Sequence, residues 1–252
     1  MGKRSSHRKK EEDSVIKIEN EEFDETRRQR KVLNYNFTLK HIRPLTENQG
    51  KVFHSYFSGQ NILVYGFAGT GKSFISLYLA LNDLFNGRYK KIIICRTLFQ
   101  LREIGFTPGS VEEKMSLYEL PYKQICAELC GRENVYNFLK EKGVIEFTCT
   151  SFLRGQTFDD ALIIIEEAQN FSMHELDSII TRAGKNSKII ITGDLLQNDL
   201  ENNRKKEKSG FADCIEVCQK MKSFDLIHFE ISDVCRSGIA KEWLLTKYNL
   251  GK

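Results

Sequence analysis

The sequence predicts a wound α/β domain, a mostly parallel sheet covered by helices, with a charged N-terminal extension in front of it. Three observations predict it. Short apolar runs recur without polar interruption, helix-period segments fill the gaps between them, and the first thirty or so residues alternate blocks of opposite charge with few large apolar side chains. Apolar types make up 40% of 252 residues, enough for a core, and one domain with an appendage fits this length.

The extension comes first. Met1–Lys31 holds ten basic and eight acidic residues, in a chain whose formal net charge is +4. Such a stretch buries too little apolar surface to offset its ordering entropy, so residues 1–40 are expected to be a disordered extension. It runs from basic straight to acidic residues, unlike a signal peptide, and no stretch of about 18 uncharged apolar residues follows. A soluble, cytoplasmic protein with no membrane partner is therefore expected. Met1-Gly2 with Ser6 matches a loose acylation pattern and is read as coincidence.

Thr46-Glu47-Asn48-Gln49 has capping-box spacing and opens a helix with Val52, Phe53, Tyr56 and Phe57 on its packed side and Gly59 as its stop. Six strands follow, at Ile62–Tyr65, Ile92–Cys95, Val144–Cys149, Leu162–Ile165, Ile189–Thr192 and Leu226–Phe229. Being apolar at consecutive positions, they read as buried on both faces, which a parallel sheet between helical layers requires. Helical patterns lie at Ser73–Phe85, Met173–Ala183 and Phe211–Met221, the second opened by the capping box Ser172-x-x-Glu175. Seven cysteines, an odd number, argue against a disulfide framework. The pairs Cys126/Cys130 and Cys214/Cys218 lack further ligands at zinc spacing and read as buried thiols.

The first strand leads into Gly66-Phe67-Ala68-Gly69-Thr70-Gly71-Lys72-Ser73 and then directly into a helix. This is a P-loop in the setting its chemistry needs. Glycines let successive N–H groups converge on phosphates, and the helix N-terminus adds partial positive charge behind them. Lys72 would reach the β- and γ-phosphates, and the Ser73 hydroxyl would ligate Mg²⁺. The substrate expected is ATP. Ala161–Ile165 delivers Glu166 and Glu167 to a strand end, one carboxylate for the Mg²⁺ shell and the other for the attacking water. Ile189–Thr192 ends in Gly193-Asp194 with Gln197 beyond, polar groups able to hold that water, and Arg236 follows the last strand as a candidate for γ-phosphate charge.

These segments, with LREIGFTPGS at 101–110, FLRGQTF at 152–158, TRAG at 181–184, KSGF at 208–211 and DVCR at 233–236, resemble in order and spacing the PhoH family of P-loop ATPases, themselves similar to the core of superfamily 1 helicases. The resemblance covers about Gln49 to Tyr248. It implies a single RecA-like domain over residues 41–252, Mg²⁺-dependent ATP hydrolysis coupled to single-stranded RNA or DNA, and a homo-oligomer, with a hexameric ring as the closed geometry. It also implies that Gln49 resembles the adenine-reading glutamine, that Gln169 and Gln197 couple hydrolysis to the nucleic-acid path, and that Arg236 senses the γ-phosphate. Gln49 could equally satisfy a backbone donor in its capping box.

Three departures stand out. Glu166 replaces the family's aspartate, Thr97 replaces a proline after Arg96, and residues 202–208 are more basic than the motif requires and read as a solvated loop. Glu166 keeps open the alternative of a nucleotide-controlled binding module that hydrolyses slowly or not at all. A small-molecule kinase shares only the P-loop, and no acidic cluster marks a nuclease.

Overall fold

The structure, a computed structural model, describes residues 37–97, 111–153, 155–195 and 208–250. Helix α1 (Glu47–Phe57) precedes strand β1 (Asn61–Gly66), and α2 (Lys72–Phe85) leads to β2 (Lys91–Arg96). Helices α3 (Val111–Tyr118), α4 (Leu120–Cys130) and α5 (Val135–Glu141) cross to β3 (Ile145–Thr148). Strand β4 (Ala161–Glu166), α6 (Met173–Ile180), β5 (Lys188–Gly193), α7 (Phe211–Lys220), β6 (Phe224–Phe229) and α8 (Gly238–Asn249) complete the domain.

The six strands form one sheet in the order β3-β2-β4-β5-β1-β6, and every pairing is parallel. Every residue of β4 and β5 is buried, as consecutive apolar runs demand of central parallel strands. Alternation along each strand feeds two cores. Ile62, Val64, Ile92, Ile94 and Ile164 face the layer of α1, α2, α4 and α5, whereas Leu63, Ile93, Ile163, Ile165 and Ile191 face α6 and α7. This is an α/β fold, an all-parallel six-stranded sheet between two helical layers.

Strand pairing places the chemistry. β1 lies beside β5 and β5 beside β4, so the three strands ending in Gly66, Gly193 and Glu166 are neighbours whose carboxyl ends share one edge. Ligands of parallel sheets bind at that edge.

Several expectations are corrected. The pattern at Met173–Ala183 ends as a helix at Ile180, because Arg182 and Gly184 exchange backbone hydrogen bonds with Phe158 and pull the chain into an isolated bridge. Phe57 is 38% exposed instead of packed, while Val52 and Tyr56 carry the apolar face of α1. The described chain starts inside the expected extension: Phe37 and Leu39 pack on the core, and the Lys40 N–H donates to the Leu129 carbonyl at 2.8 Å. Helices α3, α4, α5 and α8 were not anticipated. The apolar series Tyr122, Ile125, Cys126 and Leu129 carries the helical period that would have found α4. All seven cysteines are free thiols, six of them buried and Cys235 exposed. Among the described residues no helix is long and apolar enough to cross a membrane.

Candidate active site

The loop between β1 and α2 is shaped by backbone constraints. Gly66 has φ +124° and packs so closely on β6 that a Cβ would run into the Phe229 carbonyl, while Gly71, at φ +86°, is the N-cap of α2. Gly71 brings no side-chain cap to the first turn of α2, so the helix presents its N–H groups and its positive dipole end to the loop. Thr70 closes the loop internally, its hydroxyl donating to the Phe67 carbonyl at 2.8 Å. Lys72 Nζ lies across the loop and donates to the carbonyls of Gly66 and Phe67, both at 2.7 Å. Burial pulls its ammonium below the usual lysine value, while Asp194, Glu167 and Glu166 pull it back.

The two adjacent glutamates part company at the end of β4. Glu166 is buried and accepts from the Ser73 hydroxyl at 2.6 Å, so its longer side chain reaches directly to the start of α2. Burial raises its pKa, the Ser73 hydrogen bond lowers it, the neighbouring Glu167 raises it again, and a hydrogen bond with Thr192 and the charge of Arg96 lower it. Glu167 turns away because its backbone enters the left-handed region at φ +55°, a conformation that costs a non-glycine residue about 1–3 kcal/mol and clusters at functional sites. Its carboxylate accepts from Gln169 Nε2 at 2.5 Å, and Gln169 Oε1 accepts the Asp194 N–H at 2.9 Å. A buried amide thus joins the second strand tip to the third.

One cavity of about 870 Å³ receives Gly69 to Ser73, Glu167 and Thr192 to Asp194, with Gln49 and Arg236 on its wall. The three strand tips therefore open on a common space. Arg236 lies over the loop of its own chain, with Cγ 2.8 Å from where a Cβ on Gly69 would stand, and the Cys235 N–H donates to the Gly69 carbonyl at 3.0 Å. Ala68 lines the same cavity, and the Phe67 ring meets Tyr248 of α8 edge-on at 5.2 Å. Gln49 is only half of a capping box: the Thr46 hydroxyl accepts the Gln49 N–H at 3.2 Å, but the Gln49 side chain caps Leu45 and turns into the loop. Gln197, the 101–110 segment, Arg154 and most of the 202–208 run lie outside the described residues.

Sequence reasoning missed Thr192 and Cys235 as site residues and gave Arg96 no role in the site. No local pattern marks Thr192 or Cys235. The charge of Arg96 is felt by both glutamates, and its guanidinium lies 5.7 Å from the centroid of the Tyr118 ring. For Mg²⁺ the donor set fits: a hydroxyl and a buried carboxylate already converge on one point, both hard oxygen donors, and the carboxylate's raised pKa marks negative charge short of compensation.

The model of the family described as PhoH-like protein matches residues 41–248. The chain belongs to this family. It is 37% identical over 180 residues to the PhoH-like protein of Bacillus subtilis (strain 168), covering 70% of this chain and 55% of the relative. It is 31% identical over 189 residues to Protein PhoH of Escherichia coli (strain K12), covering 74% of this chain and 52% of that one. The chain thus spans about half the length of the curated relatives it matches. Among solved structures it is similar to the large terminase of a thermophilic bacteriophage in complex with ADP (TM-score 0.46, 12% identity, 81% of this chain and 50% of that one). It is also similar to the UvsW helicase of bacteriophage T4 (TM-score 0.43, 15% identity, 84% and 67%). Residues 66–73 of this PhoH-like domain form its P-loop, between β1 and α2.

Proposed function

We propose that this PhoH-like chain binds ATP with Mg²⁺ and hydrolyses it, and that hydrolysis is coupled to a single strand of RNA or DNA in a homo-oligomer. The observation that carries the reading is the shared cavity, in which a cationic loop, the Glu167 carboxylate and the end of a third strand carrying Asp194 meet. Lys72 exchanges two carbonyl partners for phosphate oxygens, and the first turn of α2 supplies N–H groups to the same phosphates. Ser73 and Glu166 would hold Mg²⁺, which supplies charge neutralisation on the phosphates and orients them. Glu167, held by Gln169, is placed to take a proton from the attacking water, and Asp194 stands at the far side of the same bond network. Arg236 supplies positive charge over Gly69.

For nucleic acid the support is family membership together with Phe152, which follows β3 on the strand-end edge and is 52% exposed, a flat apolar face on which a base can stack. A motor needs a second surface across the cleft. In a head-to-tail ring a neighbouring copy supplies it, with six copies as the geometry the family resemblance implies.

Steady-state ATPase activity with and without single-stranded RNA tests the reading. Stimulation of turnover by the strand is expected. A flat trace with ATP still bound would assign the chain to the slow, nucleotide-controlled binding module, and a monomer by light scattering during hydrolysis would remove the ring.

A further inference from the structure

Gln49 is 4% exposed, and its side-chain amide offers two N–H donors and one carbonyl with two lone pairs. Nε2 donates to the Thr70 carbonyl at 3.0 Å and to Cys235 Sγ at 3.1 Å, and Oε1 accepts the Leu45 N–H at 2.7 Å. Both donors are spent within the protein, leaving a single acceptor lone pair. An amide that reads adenine needs both functions: a donor for the ring nitrogen N7 and an acceptor for the exocyclic amine. Here the donor half is closed.

The partners of Gln49 come from three separate places. Leu45 precedes α1, Thr70 sits in the P-loop, and Cys235 immediately precedes Arg236. The amide is a clamp between these segments, and its contacts to Thr70 and Cys235 set the loop on which the phosphates would rest. The cavity is also lined by the apolar side chains of Ile42, Leu45, Phe53 and Ile125, which any base face can contact equally well. Arg43, Gln124 and Glu128 stand at the rim and are exposed, so water competes for every hydrogen bond they could make to a base.

We propose that Gln49 is a positioning residue for the P-loop, not a base reader, and that the site accepts purine nucleoside triphosphates with little discrimination between adenine and guanine. The inference rests on the nucleotide-binding reading above. One neutral hydrogen bond to the remaining lone pair is worth about tenfold in affinity at most. A site built to pair a base edge fully would reject the wrong base by about 10⁴-fold.

The test is equilibrium binding of ATP and GTP to the full chain with Mg²⁺, by displacement of a fluorescent nucleotide. Dissociation constants within about tenfold of each other are expected, as is weakening of both nucleotides by the same factor, within about threefold, in Gln49→Ala. The variant Gln49→Glu keeps an acceptor for Leu45 and removes both donors, so it too should weaken both nucleotides together. A preference for ATP above tenfold in the unaltered protein, or weakening of ATP alone in either variant, would overturn the proposal while leaving nucleotide binding intact. Binding of neither nucleotide to the unaltered protein would overturn both readings at once.

Discussion

Ser73 begins helix α2 and Glu166 ends strand β4, and across 93 residues the hydroxyl of the first donates to the carboxylate of the second at 2.6 Å. That contact brings a helix start and a strand end to one point on the edge of the sheet. The added methylene of a glutamate spans a gap that a shorter side chain would leave to water.

Shortening that side chain tests the point. Glu166→Asp withdraws the carboxylate by about 1.5 Å, one carbon–carbon bond, and a bridging water should restore the link, so turnover should stay within about threefold of the unaltered protein. Glu166→Gln removes the charge and should raise the Mg²⁺ concentration for half-maximal turnover by about tenfold or more. A magnesium titration of the ATPase rate reads both, and identical curves for the unaltered protein and Glu166→Gln would remove Glu166 from the metal shell.

Lys72 and Glu167 should fail in different ways. Lys72→Ala loses the only side-chain ammonium described in the cavity and should abolish turnover with weakened ATP binding. Glu167→Gln keeps the shape and removes the base, so turnover should drop by about 10²-fold or more while ATP is still held. Single-turnover kinetics beside nucleotide binding separate the two, and full activity in Glu167→Gln would end its assignment as the base.

Gln169 carries the connection between strand tips. Gln169→Ala frees the Glu167 carboxylate and leaves the buried Asp194 N–H without its 2.9 Å partner. The expected result is about tenfold lower kcat with KM within about threefold, because the lost contacts orient the base and do not touch the phosphates. A change confined to KM would place Gln169 in nucleotide binding instead.

At the opposite end of the sheet, Lys188 makes stability depend on pH. Its Nζ donates to the Tyr56 carbonyl at 2.7 Å and sits 4.1 Å from the Tyr56 ring centroid, while the Tyr56 hydroxyl donates to Asp83 at 2.5 Å. Burial, then Arg88, pushes the Lys188 ammonium down to about 8 from the ordinary 10.5, with Asp83 opposing. The folded protein therefore binds fewer protons than the unfolded chain between these values. The stability linked to this shift is full above pH 10.5 and is lost as pH falls to about 8, a span worth up to about 3 kcal/mol. Urea denaturation of the unaltered protein and Lys188→Met at several pH values checks it: the stability difference in favour of Lys188 should grow between pH 8 and 10, and a constant difference would refute the shift.

Much of this was legible in the sequence because its signals are local. Six apolar runs marked six strands, and the glycine spacing before Lys72 marked the loop, since a backbone that must curl around phosphates leaves its trace within eight residues. The helices between β2 and β3 and α8 were less visible. α8 keeps Ile239 at 84% and Trp243 at 70% exposure, so no apolar face sorted by burial distinguishes it. Thr192, Cys235 and the role of Arg96 had no local trace, because each acts through a partner on another strand or loop.

By itself, then, the sequence determined the order of strand, loop and helix and the kinds of group at each strand end, because periodicity and turn chemistry depend on neighbours along the chain. Only the tertiary structure decided that β4, β5 and β1 lie side by side, that Glu167 turns out of line with Glu166, and that Gln49 spends its amide on residues 21 and 186 positions away. Those outcomes follow from strand pairing and side-chain hydrogen bonding between distant segments, which come into reach of one another only when the sheet has assembled.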